Sequence, residues 1–200
     1  MIAVLDYGIG NLRSAQKALQ KVGADALLVS DGPGARGARG VVLPGVGAFG
    51  RCMEALRASG LDRVALDAID SGTPFLGICV GLQMLYRRSE ESPEVKGLGV
   101  MEADVRALPE GVKRPQMQWN VVQATGRASA LMEGLAQPAW AYFVHSYSPQ
   151  PTEEVVATCD YGGPVVAAVE RANLWGTQFH PEKSGTVGLA LLRGFAKACA

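Results

Sequence analysis

Only two histidines, His145 and His180, occur in the 200 residues, and the four cysteines (Cys52, Cys79, Cys159 and Cys199) form no C-x-x-C pair. Ligands at zinc-site spacing are therefore lacking, and no metal is expected. A disulfide framework is not expected either, because bridges of that kind belong to small secreted chains. An excess of charge is missing as well: 19 Lys and Arg stand against 19 Asp and Glu. Nothing in that balance favours nucleic acid or an anionic membrane as the main partner. No run approaches the roughly 18 apolar residues of a membrane helix. The N-terminus, Met1-Ile2-Ala3-Val4-Leu5-Asp6, lacks the basic stretch of a signal peptide and reads as a first strand. These absences point to a cytoplasmic protein. An apolar share of 48% fits a globular chain, and the length suits a single domain spanning 1–200.

Strand and helix patterns alternate through the first eighty residues. Ile2 to Leu5, Ala26 to Val29, Val41 to Leu43 and Phe75 to Ile78 are short apolar runs. Between them, Leu12, Ala15, Leu19 and Val22 recur at helical spacing, and Met53, Leu56, Leu61, Val64 and Ile69 suggest one or two further helices. Ser30 to Gly40 reads as a loose loop, and a helix carrying Leu82, Met84 and Leu85 is expected after Cys79. From about Val95 strand-like pieces dominate, among them Trp119 to Val122, Ala141 to Val144, Val155 to Cys159, Val165 to Val169 and Leu174 to Phe179. Val187, Leu191 and Phe195 mark a closing helix. The expected fold is α/β: an open, mostly parallel sheet with flanking helices and an antiparallel region in the second half.

Such sheets bind ligands at the carboxyl ends of their strands. Three polar or glycine-rich segments fall there: Pro44-Gly45-Val46-Gly47, Cys79, and His180-Pro181-Glu182. Gly77-Ile78-Cys79-Val80-Gly81 has the G-x-C-x-G form of a nucleophile elbow, a sharp turn that lifts a thiol clear of the sheet at a helix N-terminus. By itself the pentapeptide also suits a buried, inert cysteine. A thiol nucleophile needs a base and the base an orienting group. Glu182 lies two residues after His180, so on an extended segment both side chains share a face. His145 is the competing base, but Ser146, Tyr147 and Ser148 follow it and no acid is near in sequence. Attack on a carboxamide would need N–H donors for an oxyanion. The backbone of Val80 and the glycine turn at Val46 can offer them.

Cys79 in its elbow, with Phe179-His180-Pro181-Glu182 about a hundred residues on, resembles the class I, triad-type glutamine amidotransferases. Further segments agree: Asp6 to Ser14, Leu43 to Phe49, Tyr142 to Tyr147 and His180 to Ser184. The resemblance implies a Cys79, His180, Glu182 triad, with oxyanion donors from the backbones of Val46 and Val80. It implies that Gly47, Gln83, Ser146 and Tyr147 hold glutamine, and that no cofactor is needed. It also implies a heterodimer with a (β/α)₈-barrel cyclase subunit that receives ammonia. Gln116 to Asn120 resembles a segment facing that partner, and Asn11, Trp119 and Lys183 are the interface candidates. A related glutaminase serving another synthase, or a catalytically silent regulatory subunit, are the competing readings.

Overall fold

The computed structural model describes residues 1–200. In chain order the first half runs β1 (Ile2–Leu5), α1 (Leu12–Lys21), β2 (Ala26–Val29), α2 (Gly32–Ala35), β3 (Gly40–Gly45), α3 (Phe49–Ala58), α4 (Leu61–Asp70), β4 (Phe75–Cys79) and α5 (Val80–Gln83). The second half runs β5 (Arg88–Ser89), β6 (Ser92–Lys96), β7 (Val105–Ala107), β8 (Gln116–Ala124), β9 (Ala139–His145), β10 (Tyr147–Pro149), β11 (Val155–Asp160), β12 (Pro164–Arg171) and β13 (Leu174–Thr177), then a 3₁₀ turn (Pro181–Lys183) and α6 (Gly185–Ala198).

Nine strands form one sheet in the order β2-β1-β3-β4-β13-β12-β11-β8-β9. The five from β2 to β13 are mutually parallel, and from β12 outward every pairing is antiparallel. β1 and β4 read as unbroken apolar runs because both faces of the parallel half are covered by helices; all nine of their residues are buried. β9 instead alternates buried and more open positions, as a strand with one uncovered face must. A smaller sheet, β10-β7-β5-β6, was not anticipated from the sequence. Its strands β5 and β6 are short, polar and charged, so they carry no hydrophobic signature.

Two local expectations need correction. The Ser30 to Gly40 stretch is not wholly loop, since Asp31 caps the single turn of α2 by accepting from the Gly34 N–H at 2.7 Å. The helix after Cys79 lasts one turn only. Leu82, Met84 and Leu85 are fully buried, but tertiary packing buries Met84 and Leu85 in the loop beyond α5. The amphipathic spacing was right about burial and wrong about helix length.

One contiguous core of 52 buried residues runs through both halves. Phe143 on β9 meets Phe179 edge to face at 5.6 Å, and Trp175 on β13 meets Phe195 on α6 in the same way at 5.6 Å. These contacts seat the Phe179–Lys183 segment between the antiparallel half of the sheet and the closing helix.

Candidate active site

Strand β4 ends at Cys79, whose φ of 55° and ψ of −111° place a non-glycine residue in a strained region. The two glycines of the elbow allow this turn by close backbone approach. A Cβ on Gly81 would sit 1.8 Å from the Leu43 carbonyl oxygen of β3, and one on Gly77 would sit 3.0 Å from the Gly81 carbonyl. A Cβ on Gly45 would lie 2.7 Å from the Gly81 nitrogen. The Pro44–Gly47 turn and the elbow thus pack backbone to backbone, and both motifs need glycine for the same contact.

The turn is also held from behind. The Tyr7 hydroxyl donates to the Pro44 carbonyl at 2.7 Å, and the Cys52 thiol donates to the Val46 carbonyl at 3.3 Å. Burial pushes the Cys52 thiol up, as it does the Tyr7 phenol, so both stay protonated donors. Val46, Gly47, Cys79 and Val80 line one wall of a cavity of about 240 Å³. Val80 opens α5, so its N–H has no carbonyl a turn earlier to bond.

His180 reaches the same cavity from the far side of Cys79's strand, just beyond β13. Its Nδ1–H donates to Glu182 Oε1 at 2.8 Å, with the two side chains only 1% and 3% exposed. The expected contact is therefore made, but not by strand alternation: Pro181–Lys183 is a 3₁₀ turn, which folds Glu182 back under the ring. The Ser184 hydroxyl donates to the His180 carbonyl at 2.6 Å and accepts from the Tyr142 N–H at 3.0 Å, pinning the turn to β9. Nε2 of His180 is buried without a hydrogen-bond partner. Burial alone would lower the basicity of this ring. The neighbouring Cys79 sulfur and the Glu182 carboxylate outweigh it, and the pKa is raised to about 10.

His145, the competing base, also lines the cavity but is fully engaged. Nδ1 lies 2.9 Å from the Tyr147 carbonyl and Nε2 lies 3.0 Å from the Gln116 side-chain amide. Burial first, then the neighbouring His180, push its pKa down to about 4. It is a neutral structural residue at neutral pH. The sign of the linkage follows: a histidine with a depressed folded pKa supports the fold above about 6.5 and loses that support as pH falls towards 4. His145 should account for a loss of about 2 kcal/mol between pH 7 and pH 5, read by urea unfolding as the difference between wild type and His145→Gln. The acid limb should flatten in His145→Gln; an equal loss in the variant would show that His145 is not its source.

Gln83, Ser146 and Tyr147 are all at the cavity, as expected. Gln83 is 3% exposed, and its amide NH₂ is already used, donating to the Tyr147 carbonyl at 2.9 Å and to Gln178 Oε1 at 3.0 Å. Only its carbonyl is available to a ligand. Two residues escaped the sequence reading. Glu91 is the only acidic residue lining the cavity, and it also accepts from the Phe49 N–H at 2.7 Å. It lies in a Ser-Glu-Glu-Ser run that looks like any polar turn. Gln178, fully buried, donates from Nε2 to Cys79 Sγ at 3.6 Å. It precedes His180 by two residues, just past the end of β13, with no motif of its own to mark it.

The interface candidates fall together in part. Trp119 is 49% exposed and meets Tyr142 at 6.2 Å, and Lys183 Nζ lies 5.9 Å over the Tyr142 ring. Asn11 is half-buried at the start of α1, which packs against the Pro181–Lys183 turn. Its Oδ1 accepts from the Ser14 hydroxyl at 2.8 Å, so the side chain caps through a hydroxyl and not through a backbone N–H. Met117 and Trp140, 63% and 48% exposed, were not anticipated. Cross-strand pairing of Met117 with Val144, Trp119 with Tyr142 and Val121 with Trp140 puts all six on one face of the β8–β9 ribbon. Val144 also lines the cavity, so that apolar face runs up to its mouth.

A family model for class I glutamine amidotransferases matches residues 6–199. Curated relatives agree along the full length. The imidazole glycerol phosphate synthase subunit HisH of Methanothermobacter thermautotrophicus is 50% identical over 198 residues, covering 98% of both chains. That of Rhodopirellula baltica is 46% identical over 202 residues, covering 99% of this chain and 98% of the other. Among solved structures, a glutamine amidotransferase superposes with a TM-score of 0.75 at 22% identity, covering 99% of this chain and 98% of that one. PurLQS from Thermotoga maritima gives 0.72 at 16%, covering 99% and 96%. At those identities the structures speak for the fold alone.

Proposed function

The chain belongs to the class I glutamine amidotransferases, and from that premise we propose that it is the glutaminase subunit of an imidazole glycerol phosphate synthase in histidine biosynthesis, working as one amidotransferase domain in the cytoplasm. The observation that carries the chemistry is the His180–Glu182 pair. With Nδ1–H committed to the carboxylate, Nε2 is the nitrogen left to take a proton, and it shares a cavity with Cys79.

The mechanism runs as follows. Nε2 of His180 takes the Cys79 thiol proton, and Glu182 steadies the imidazolium. The thiolate attacks the side-chain carbonyl carbon of glutamine. The oxyanion is met by the backbone N–H groups of Val46 and Val80. His180 returns its proton to the leaving nitrogen, ammonia departs and a glutamyl thioester remains. Water, deprotonated by His180, attacks the thioester, and the thiolate leaves to give glutamate. The Gln83 carbonyl, the Ser146–Tyr147 backbone and Gly47 hold the amino-acid end, and Glu91 offers a counter-charge for the α-ammonium. Free ammonia would become ammonium in water and lose its nucleophilicity. A (β/α)₈-barrel cyclase subunit docked over the cavity would receive it and use it on a phosphoribulosyl formimino substrate.

The test is glutamate release by the chain alone, by the chain with the cyclase subunit and its nucleotide ligand, and by Cys79→Ala in that complex. Strong hydrolysis only in the complex, absent in the variant, is the expected result. Silence of the paired proteins, or full activity of the variant, rejects the reading.

The apolar β8–β9 face supports docking. It is exposed, aromatic and continuous with the cavity mouth, as the centre of a binding patch is. Trp119→Ala should weaken binding to the cyclase subunit by roughly 10- to 100-fold, measured by titration calorimetry, with little change in the chain's own stability. A change below twofold would remove Trp119 from the interface.

A further inference from the structure

Gln178 takes no part in the mechanism above, yet it touches the reacting atom. Its Nε2 donates to Cys79 Sγ at 3.6 Å, and the residue is wholly shielded from solvent. A buried amide that merely fills space can point either way, but this one cannot. The Tyr147 main-chain carbonyl only accepts, so Gln83 must turn its NH₂ towards it at 2.9 Å. That same NH₂ reaches Gln178 at 3.0 Å, so Gln178 must present its carbonyl there. The remaining end, its own NH₂, then faces the sulfur. The orientation is dictated by a backbone carbonyl three groups away, through two side chains that have no other arrangement satisfying every partner.

We propose that Gln178 is a further catalytic residue of the glutaminase, a neutral hydrogen-bond donor that stabilises the Cys79 thiolate. The idea rests on the glutaminase reading and extends it. An N–H bond to a neutral thiol is weak, whereas one to an anionic sulfur is charge-assisted, so the contact strengthens as the proton moves to His180. It strengthens again when the thiolate leaves the glutamyl carbon in the second half-reaction. The only other hydrogen-bond contact of the sulfur is the Val144 carbonyl at 4.0 Å, which can accept from a thiol but offers nothing to a thiolate. Cys79 is only 3% exposed, so few donors from solvent stand ready to solvate an anionic sulfur. Gln178 therefore supplies what solvation would otherwise provide, and Gln83 acts through it as a positioning residue.

Gln178→Met keeps length and flexibility without an N–H, and Gln178→Leu is a second donor-free variant. The readout is the rate of Cys79 alkylation by iodoacetamide in the free chain across pH, followed by peptide mass spectrometry. Alongside it go kcat and KM for glutamine in the complex. Loss of the donor should slow alkylation at pH 7 roughly tenfold and displace the profile to higher pH. It should lower kcat by a similar factor and leave KM within about twofold. A folded donor-free variant with the wild-type profile overturns the proposal. So does one whose plateau falls while the pH midpoint stays put, since packing alone would do that. Alkylation needs neither partner nor glutamine. A wild-type complex that hydrolyses no glutamine would reject the functional reading, while the thiol profile would still report on Gln178.

Discussion

Cys79→Ala should abolish glutamine hydrolysis in the complex, a loss on the order of 10⁴-fold or more, and Cys79→Gly should do the same while raising the stability of the chain. The two outcomes have separate causes. Activity fails in both because no other thiol reaches the cavity: Cys52, Cys159 and Cys199 are buried elsewhere. Stability differs because Cys79 holds φ at 55° with ψ at −111°, where a Cβ is crowded and glycine is not. Relief of that strain is opposed by the greater freedom of glycine in the unfolded chain, about 0.5 to 1 kcal/mol, leaving a net gain of about 1 kcal/mol. Urea unfolding at neutral pH measures it. A Cys79→Gly variant less stable than Cys79→Ala would mean that the elbow is not strained at its nucleophile. Equal activity of either variant with the wild type would remove Cys79 from the chemistry altogether.

That strain belongs to a pattern in what the chain revealed before its structure was known. The parallel half was readable because doubly covered strands must be apolar on both faces, and Ile2–Leu5 and Phe75–Cys79 are. The elbow was readable because close backbone approach demands glycine at fixed offsets from Cys79. The His180–Glu182 contact was foreseen in outcome but not in geometry. Proline at 181 starts a 3₁₀ turn, and residues i and i+2 meet there through turn curvature. The small sheet escaped because β5 and β6 pair through backbone alone, with charged side chains that could equally line a loop. Glu91 escaped for the same reason: nothing in its neighbours shows that β6 and α3 bring it to the cavity. The apolar β8–β9 face was half-read. Trp119 stood out as a large aromatic, whereas Trp140 emerged only once register set Val121 opposite it.

The elbow glycine Gly81 carries the second large effect, which bears on stability and on activity. Gly81→Ala would place a methyl group 1.8 Å from the Leu43 carbonyl oxygen and 2.8 Å from its carbon. Both atoms are main chain in β3, which is flanked by β1 and β4 and cannot swing aside as a side-chain tip could. Either β3 or the elbow must move, at a cost of roughly 3 kcal/mol or more, above ordinary overpacking because the obstacle is backbone. The same shift would displace Pro44–Gly47 relative to Cys79, so glutamine hydrolysis should fall further than the folded fraction does. Gly194→Ala is the matching control. Gly194 sits inside α6 with open space where its Cβ would go, and alanine there should stabilise the helix by about 0.5 to 1 kcal/mol. Unfolding of the two variants side by side separates a general dislike of methyl groups from this particular contact. If Gly81→Ala lay within 1 kcal/mol of wild type, the backbone-to-backbone packing of elbow and turn could not be what sets the nucleophile's position.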